Sequence, residues 1–417
     1  MINREAMIRI VSADAVLPGD REPIMGGAVA FDEVGKIIDV GSAADVVART
    51  RGEVQAVKGV VLPGLVNAHT HIELSALRGK VPGGTGFVNW VEHLLSVRAD
   101  IDPEHDEESI ARAVDELVGA CTAAVGDVTN SLAAVDVLRA RGVTGWAFYE
   151  AFGVDAATAV SRAKDVAAAI ESDRSMLRIA PAIHALYTTH IDAIRILDAA
   201  VRERPMLTSL HLAEHASERR ALESGDGPVA EWLTKLLGDK TPAWPRKSPI
   251  VYADDLGLLR PDVLLVHMTD ARQAEIALAH ERGSPFVLCP RSNLYIEMKL
   301  PPLLAILAAG IEPALGTDSL ASNTSLDVLA EAAALHIRFP QVAAHRLVRM
   351  ATWNGARVLD LPLLGRIAVG SAPGLVHVEC PVHPDAAASL LAAVKLPRKW
   401  LVRPDVPLVP SPIVHVP

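Results

Sequence analysis

The chain has 417 residues, half of them hydrophobic, and a net charge of −10. That length exceeds one ordinary core and suits a single α/β barrel of about 250 residues with a smaller companion domain. The acidic balance speaks against a nucleic-acid surface, and no apolar run reaches the length of a membrane span. Three distant cysteines (Cys121, Cys289, Cys380) speak against a disulfide framework or a CxxC metal site.

The opening stretch MINREAMIRIVSADAVLPGD lacks a basic segment followed by an apolar run, so a cytoplasmic protein is expected. The first sixty residues alternate β-branched runs with turn signals, and Asp32-Glu33-Val34-Gly35 suits a hairpin between GGAVAF and KIIDVG. The last fifty, from GRIAVGSAPGLVHVEC through PRKWLVRPDVPLVP, are again short strands broken by proline and glycine. Neither end carries enough apolar periodicity for its own large core. Both fit a small β-sandwich domain assembled from residues 1–60 and 366–417.

Between them, residues 61–365 hold eight short apolar runs: GVVLPGLVNAH, CTAAVGDVTN, VTGWAFYEAF, LRIAPAIHAL, MLTSLHLAEH, VLLVHMT, PFVLCP and IEPALGTDS. Segments such as DAATAVSRAKDVAAAI and TDARQAEIALAHERG place apolar residues at helical spacing between them. Strand alternating with helix eight times predicts an α/β fold, a parallel (β/α)8 TIM barrel. GFVNWVEHLL predicts a helix with Phe87, Trp90, Val91, Leu94 and Leu95 on its apolar face, Trp90 being near enough to roof a site. The proline-rich insertion GDKTPAWPRKSP (238–249) is expected over the barrel mouth or on the surface.

Chemistry in such a barrel sits where the strands end. His69 and His71 close the first strand and, being i and i+2, share one face. His211 ends the fifth, His267 the sixth and Asp318 the eighth. Three imidazoles and a carboxylate form a reasonable shell for one divalent ion, with zinc preferred and iron or manganese also accommodated. Such a shell leaves the ion a net positive charge and lowers the pKa of bound water toward neutrality. A single histidine is more often a packing residue than a ligand, and His93, His105, His280, His336 and His345 lie on helical or polar stretches. The weight rests on the joint placement at four strand ends.

These residues carry a resemblance. PGLVNAHTH resembles the opening signature of the amidohydrolase superfamily, LHLAEH its HxxE motif and LGTDS its terminal aspartate motif. The likeness is greatest to the branch that deaminates adenosine-like, guanine-like and triazine compounds. Within it, NAHTHIELSALRG, CPRSN and GTDSLASNTSL resemble the aminodeoxyfutalosine deaminases of menaquinone synthesis. GRIAVGSAPGLVHVE departs from the family's usual end, where an alanine-aspartate pair precedes a strand.

The resemblance implies metal-dependent hydrolytic deamination of an amino-substituted heterocycle, such as an adenine-type nucleoside, with release of ammonia. It implies His69, His71, His211 and Asp318 as metal ligands and His267 as a hydrogen-bonding partner of the attacking water. Asp318 would also take the water proton, and Glu214 would protonate a ring nitrogen and then the departing amine. His184, Glu150 and Ser319 are candidate substrate-binding or orienting residues. Arg78 and Arg291 could meet a substrate carboxylate. Amide-opening relatives generally use two metals bridged by a carboxylated lysine on the fourth strand, and LRIAPAIHALYT has none. Chlorohydrolase-type attack on a triazine-like ring and a non-catalytic barrel scaffold stay open as alternatives. The expected partner is a small-molecule substrate, with no nucleic acid and no membrane, and with a homodimer as the prior for assembly.

Overall fold

The computed structural model describes residues 7–172, 177–204, 206–238, 241 and 243–404. The outer ends of the expected terminal domain and residues 239, 240 and 242 of the insertion lie outside the described residues. No helix among the described residues is long and apolar enough to cross a membrane.

Eight strands form one sheet in chain order: β1 (Leu65–Thr70), β2 (Thr122–Thr129), β3 (Thr144–Ala151), β4 (Leu177–Ala185), β5 (Thr208–Leu212), β6 (Val263–His267), β7 (Phe286–Leu288) and β8 (Ala314–Leu315). Pairing from β3 to β8 is parallel throughout. The ends of the sheet meet where Thr70 bridges Asp318 and the amides of Thr317 and Asp318 donate to the His69 carbonyl at 2.9 and 3.1 Å. That closure makes the sheet the (β/α)8 barrel expected from the strand count. Strands such as TAAVGDVT and VLLVH are buried along their whole length, as a parallel sheet covered on both faces requires. The runs at 155–170 and 269–283 become the helices Ala156–Ser172 and Gln273–Glu281.

Two expectations need correction. GVVLPGLVNAH is two strands, Val60–Pro63 and Leu65–Thr70. Pro63 brings no amide to a ladder, and a Cβ on Gly64 would lie 2.8 Å from Ala123 Cβ, the Pro373 carbonyl and the Trp400 ring, so the chain turns between them. The helix Phe87–Ala99 buries Phe87, Trp90 and Leu94, but Leu95 is 53% exposed and Val91 only half-buried. The buried stripe is one residue wide per turn, narrower than the apolar face suggested.

The described chain falls into two compact units. One takes residues up to Asn67, Asp115–Ala124 and the chain from Asp327; the other takes Ala68–Val114 and Val125–Leu326. The first unit contains a four-stranded sheet, Ile37–Ser42, Gly27–Phe31, Arg9–Ser12 and Glu53–Ala56 in that order. Its five-stranded sheet runs Arg398–Val402, Leu375–Val378, Val60–Pro63, Ala15–Val16 and Ile24–Met25. Val11, Val16, Val29, Phe31, Ile37, Val61, Ile367 and Leu375 pack into one core, which ties the two ends of the chain together. Full burial of each large side chain there contributes roughly 1.5–3 kcal/mol. The hairpin at Asp32–Gly35 forms as expected, with Gly35 at φ +82° and Asp32 Oδ1 accepting from the amides of Val34 and Lys36.

The barrel seam depends on one close approach. A Cβ on Gly316 would lie 2.6 Å from both the Cβ and the carbonyl oxygen of His69. Gly316→Ala is expected to lower stability by about 1–3 kcal/mol through overpacking. Gly119→Ala, where nothing lies within 4 Å, should leave it unchanged or raised. Comparing thermal midpoints of the two variants checks this.

Candidate functional site

The β1 strand carries His69 on its buried face, and the chain then turns through His71 into the short 3-10 helix Ile72–Leu77. Glu73, 4% exposed, holds that turn against the end of β2. It accepts hydrogen bonds from the Thr129 hydroxyl (2.9 Å), the amides of Asn130 and Ser131 (2.7 and 3.1 Å) and the Ser131 hydroxyl (2.8 Å). Asp127 on β2 accepts from the Ile72 amide at 2.9 Å. The HxH segment is therefore anchored by two buried acidic side chains, Glu73 and Asp127, at the ends of β1 and β2.

His211 stands on β5, level with Val266 and one step before Leu212, which pairs with His267. The register of β4 shifts between Ile183 and Ala185. This bulge turns the His184 carbonyl toward His211, whose Nδ1 lies 2.8 Å from it. A carbonyl only accepts, so His211 carries its proton on Nδ1 and presents a lone pair on Nε2. That nitrogen lies 3.3 Å from Nε2 of His71. The His69 ring is 4.9 Å from that of His71 and 5.0 Å from that of His211, and its Nε2 is buried without a hydrogen-bond partner. The ligand atoms of His69, His71 and His211 all lie within 4.8 Å of one another. Burial lowers the pKa of His71 to about 3 and pushes that of His69 well down, so both rings are neutral near pH 7. Three buried imidazoles whose ring nitrogens converge form a donor set that fits a divalent cation.

Asp318 follows β8 at φ +58°, a left-handed conformation that aims its carboxylate across the seam. Oδ1 lies 3.8 Å from His71 Nε2 and accepts the Ser319 amide at 2.7 Å. Oδ2 accepts the Ser292 hydroxyl at 2.6 Å. Ser319 thus orients Asp318 through its backbone; its hydroxyl lies 3.5 Å from that of Ser322. The carboxylate can complete the donor set of the three histidines.

Glu214 lies in the turn leaving β5. Its amide and that of Ala213, itself at φ +49°, donate to the Glu218 carboxylate at 2.7 and 3.2 Å. The following helix Ala216–Ser224 is held by buried Arg219, which bonds Asp270 at 2.6 Å and Glu275 at 2.8 Å beyond β6. This ties the Glu214 turn to the His267 strand end, and Glu214 Oε1 comes to 3.5 Å from His267 Nε2. Burial first, then the charges of Asp318, Glu218 and Glu297, push the Glu214 carboxyl well above its usual range. The His267 ring sits 5.7 Å from His69 and 5.4 Å from His211, and burial holds its pKa at about 3.

The six residues His69, His71, His211, Glu214, His267 and Asp318 therefore converge. His184 stands beside them, its ring 5.2 Å from His211 and 6.1 Å from Phe152. Glu150 lies behind His211, with Oε1 3.6 Å from its Nδ1 and Oε2 accepting from Asn130 at 2.8 Å. Glu150 thus backs an imidazole within the described protein. Arg78 and Arg291 both reach the loop after Asp318, one at the Thr324 carbonyl, the other at the Thr324 and Ser325 hydroxyls. The five histidines set aside lie on helices.

Sequence reasoning passed over Glu73, Asp127, Ser292, Asn293 and His215. His215, adjacent to Glu214, caps the next helix through Nδ1 and stacks on Phe87 at 3.9 Å. The CPRSN run carries both Ser292 and Asn293, but no local pattern in it shows what they face.

The amidohydrolase family model matches residues 60–398. A 5-methylthioadenosine/S-adenosylhomocysteine deaminase of Nitratidesulfovibrio vulgaris is 30% identical over 378 residues, covering 86% of this chain and 80% of the relative. An aminodeoxyfutalosine deaminase of Deinococcus radiodurans is 29% identical over 325 residues, covering 72% and 73%. The crystal structure of an adenosine deaminase from Xanthomonas campestris with bound zinc superposes with a TM-score of 0.74 at 26% identity, over 96% of this chain and 94% of that one. Family match, relatives and barrel agree, and the chain belongs to the amidohydrolase family.

Proposed function

We propose that this protein hydrolytically deaminates an adenine-type nucleoside, replacing the ring amino group by oxygen and releasing ammonia. The observation that carries the reading is a buried Glu214 with a raised pKa, 3.5 Å from His267 and beside a pocket of three neutral imidazoles and Asp318. A general acid of that kind is what addition to an aromatic ring needs, since the ring nitrogen must gain a proton as the C–O bond forms. The deaminase names of the relatives support it.

On this reading His69, His71, His211 and Asp318 hold one divalent ion, zinc in preference to iron or manganese. Such an ion supplies Lewis acidity and makes water an available nucleophile near neutral pH. Glu214 gives its proton to the ring nitrogen as the C–O bond forms at the amino-bearing carbon. Without that proton the ring would lose aromaticity and gain charge together. Asp318 receives the proton the water gives up, and His267 hydrogen-bonds the adding oxygen. Glu214 then takes the proton of the added hydroxyl and passes it to the amine, the C–N bond breaks, ammonia departs as the ring carbonyl forms, and the proton held by Asp318 restores Glu214. His184 contacts the substrate from the fourth strand end, while Glu150 reaches a sugar hydroxyl or acts through His211; Ser319 steadies Asp318. If the nucleoside is aminodeoxyfutalosine, the reaction belongs to menaquinone synthesis in the cytoplasm.

The deciding experiment is a screen of 6-aminopurine nucleosides, including methylthioadenosine, S-adenosylhomocysteine and aminodeoxyfutalosine, read by absorbance and ammonia release. Chloride release from a chlorotriazine without ammonia from any nucleoside would overturn the reading in favour of dehalogenation. Glu214→Gln is expected to keep its metal and lose about 10²–10⁴ in kcat; loss of metal in that variant would make Glu214 a ligand instead. His71→Ala is expected to bind metal substoichiometrically by elemental analysis. Chelation of the wild type should abolish turnover, and added zinc should restore it.

A further inference from the structure

His267 is the last residue of β6, 1% exposed, at φ +77°. Its Nε2 faces Glu214, and its Nδ1 lies 3.2 Å from the side-chain Nδ2 of Asn293. Asn293 sits in the first turn of the helix Pro290–Glu297 and is also 1% exposed. An amide nitrogen offers only donors, so the ring nitrogen opposite it must offer a lone pair. The single proton of the neutral ring then resides on Nε2. The other end of the amide, Oδ1, is buried and has no hydrogen-bond partner among the described residues.

We propose that Asn293 is a positioning residue that holds neutral His267 in the Nε2–H tautomer and so makes it a hydrogen-bond donor to the reacting centre. The division of labour follows. A ring with its proton on Nε2 can stabilise oxygen but cannot take a proton from water, which leaves that task to Asp318. The preceding residue, Ser292, bonds Asp318 Oδ2 at 2.6 Å, so consecutive side chains of one helical turn attend to both groups. The catalytic consequence rests on the deaminase reading; the tautomer does not.

The test uses the zinc-loaded full chain with 15N-labelled histidine, with His267→Gln identifying the signal. Long-range 1H–15N correlations are expected to show a pyrrole-type Nε2 and a pyridine-type Nδ1 for His267. Asn293→Leu should keep metal and thermal midpoint, give mixed tautomers at His267 and lower kcat about ten- to a hundredfold with little change in KM. A His267 proton on Nδ1 in the wild type overturns the proposal, as does an unchanged His267 spectrum or kcat in Asn293→Leu. Should that variant fail to fold, the wild-type spectrum decides alone. Failure of the nucleoside screen with an Nε2–H signature would sink the reaction and leave this assignment standing.

Discussion

The structure is organised around the crowding of neutral imidazoles in a buried space. Nε2 of His71 and Nε2 of His211 lie 3.3 Å apart, with His69 edge-on to both. Two neutral rings this close either share a proton or together hold a cation, and the buried donor set fits a cation. The contacts behind the rings hold the set together. The His184 carbonyl fixes the proton of His211, the Glu73 and Asp127 carboxylates fix the turn after His71, and the barrel seam fixes His69.

The same requirement explains where the backbone leaves ordinary conformations. Ala213, His267 and Asp318 all have positive φ, and each stands at or just beyond a strand end. Left-handed conformations in non-glycine residues cost roughly 1–2 kcal/mol each and persist only where surrounding contacts over-determine them. Here those contacts are Glu218 below Ala213, the Arg219 ion pairs across the β5 and β6 ends, and the seam around Asp318. Strain in the backbone is exchanged for side chains that aim inward.

Polar order extends outward from the rings in two arcs. One runs from Glu73 through Asn130 to Glu150 behind His211. The other runs from Ser322 and Ser292 to Asp318 and from Asn293 to His267. Partners that orient ligating or proton-handling groups matter nearly as much as those groups themselves.

The amino-acid sequence alone determined the strand count, the barrel and the list of residues at its strand ends, because burial on both faces forces continuous apolar runs, and those of β1, β5, β6 and β8 close on or beside histidine or aspartate. HxH, HLAE and GTDS were legible because each motif is local. What only the tertiary structure decided is which way each group faces and what stands behind it. The split at Pro63-Gly64 depends on Ala123, Pro373 and Trp400, residues distant in the chain. The amide of Asn293 against His267, and Glu73 under the β2 turn, arise from approaches between neighbouring strand ends that no local pattern encodes. Periodicity reports burial; proton positions and hydrogen-bond partners are set by neighbours brought together only when the sheet closes.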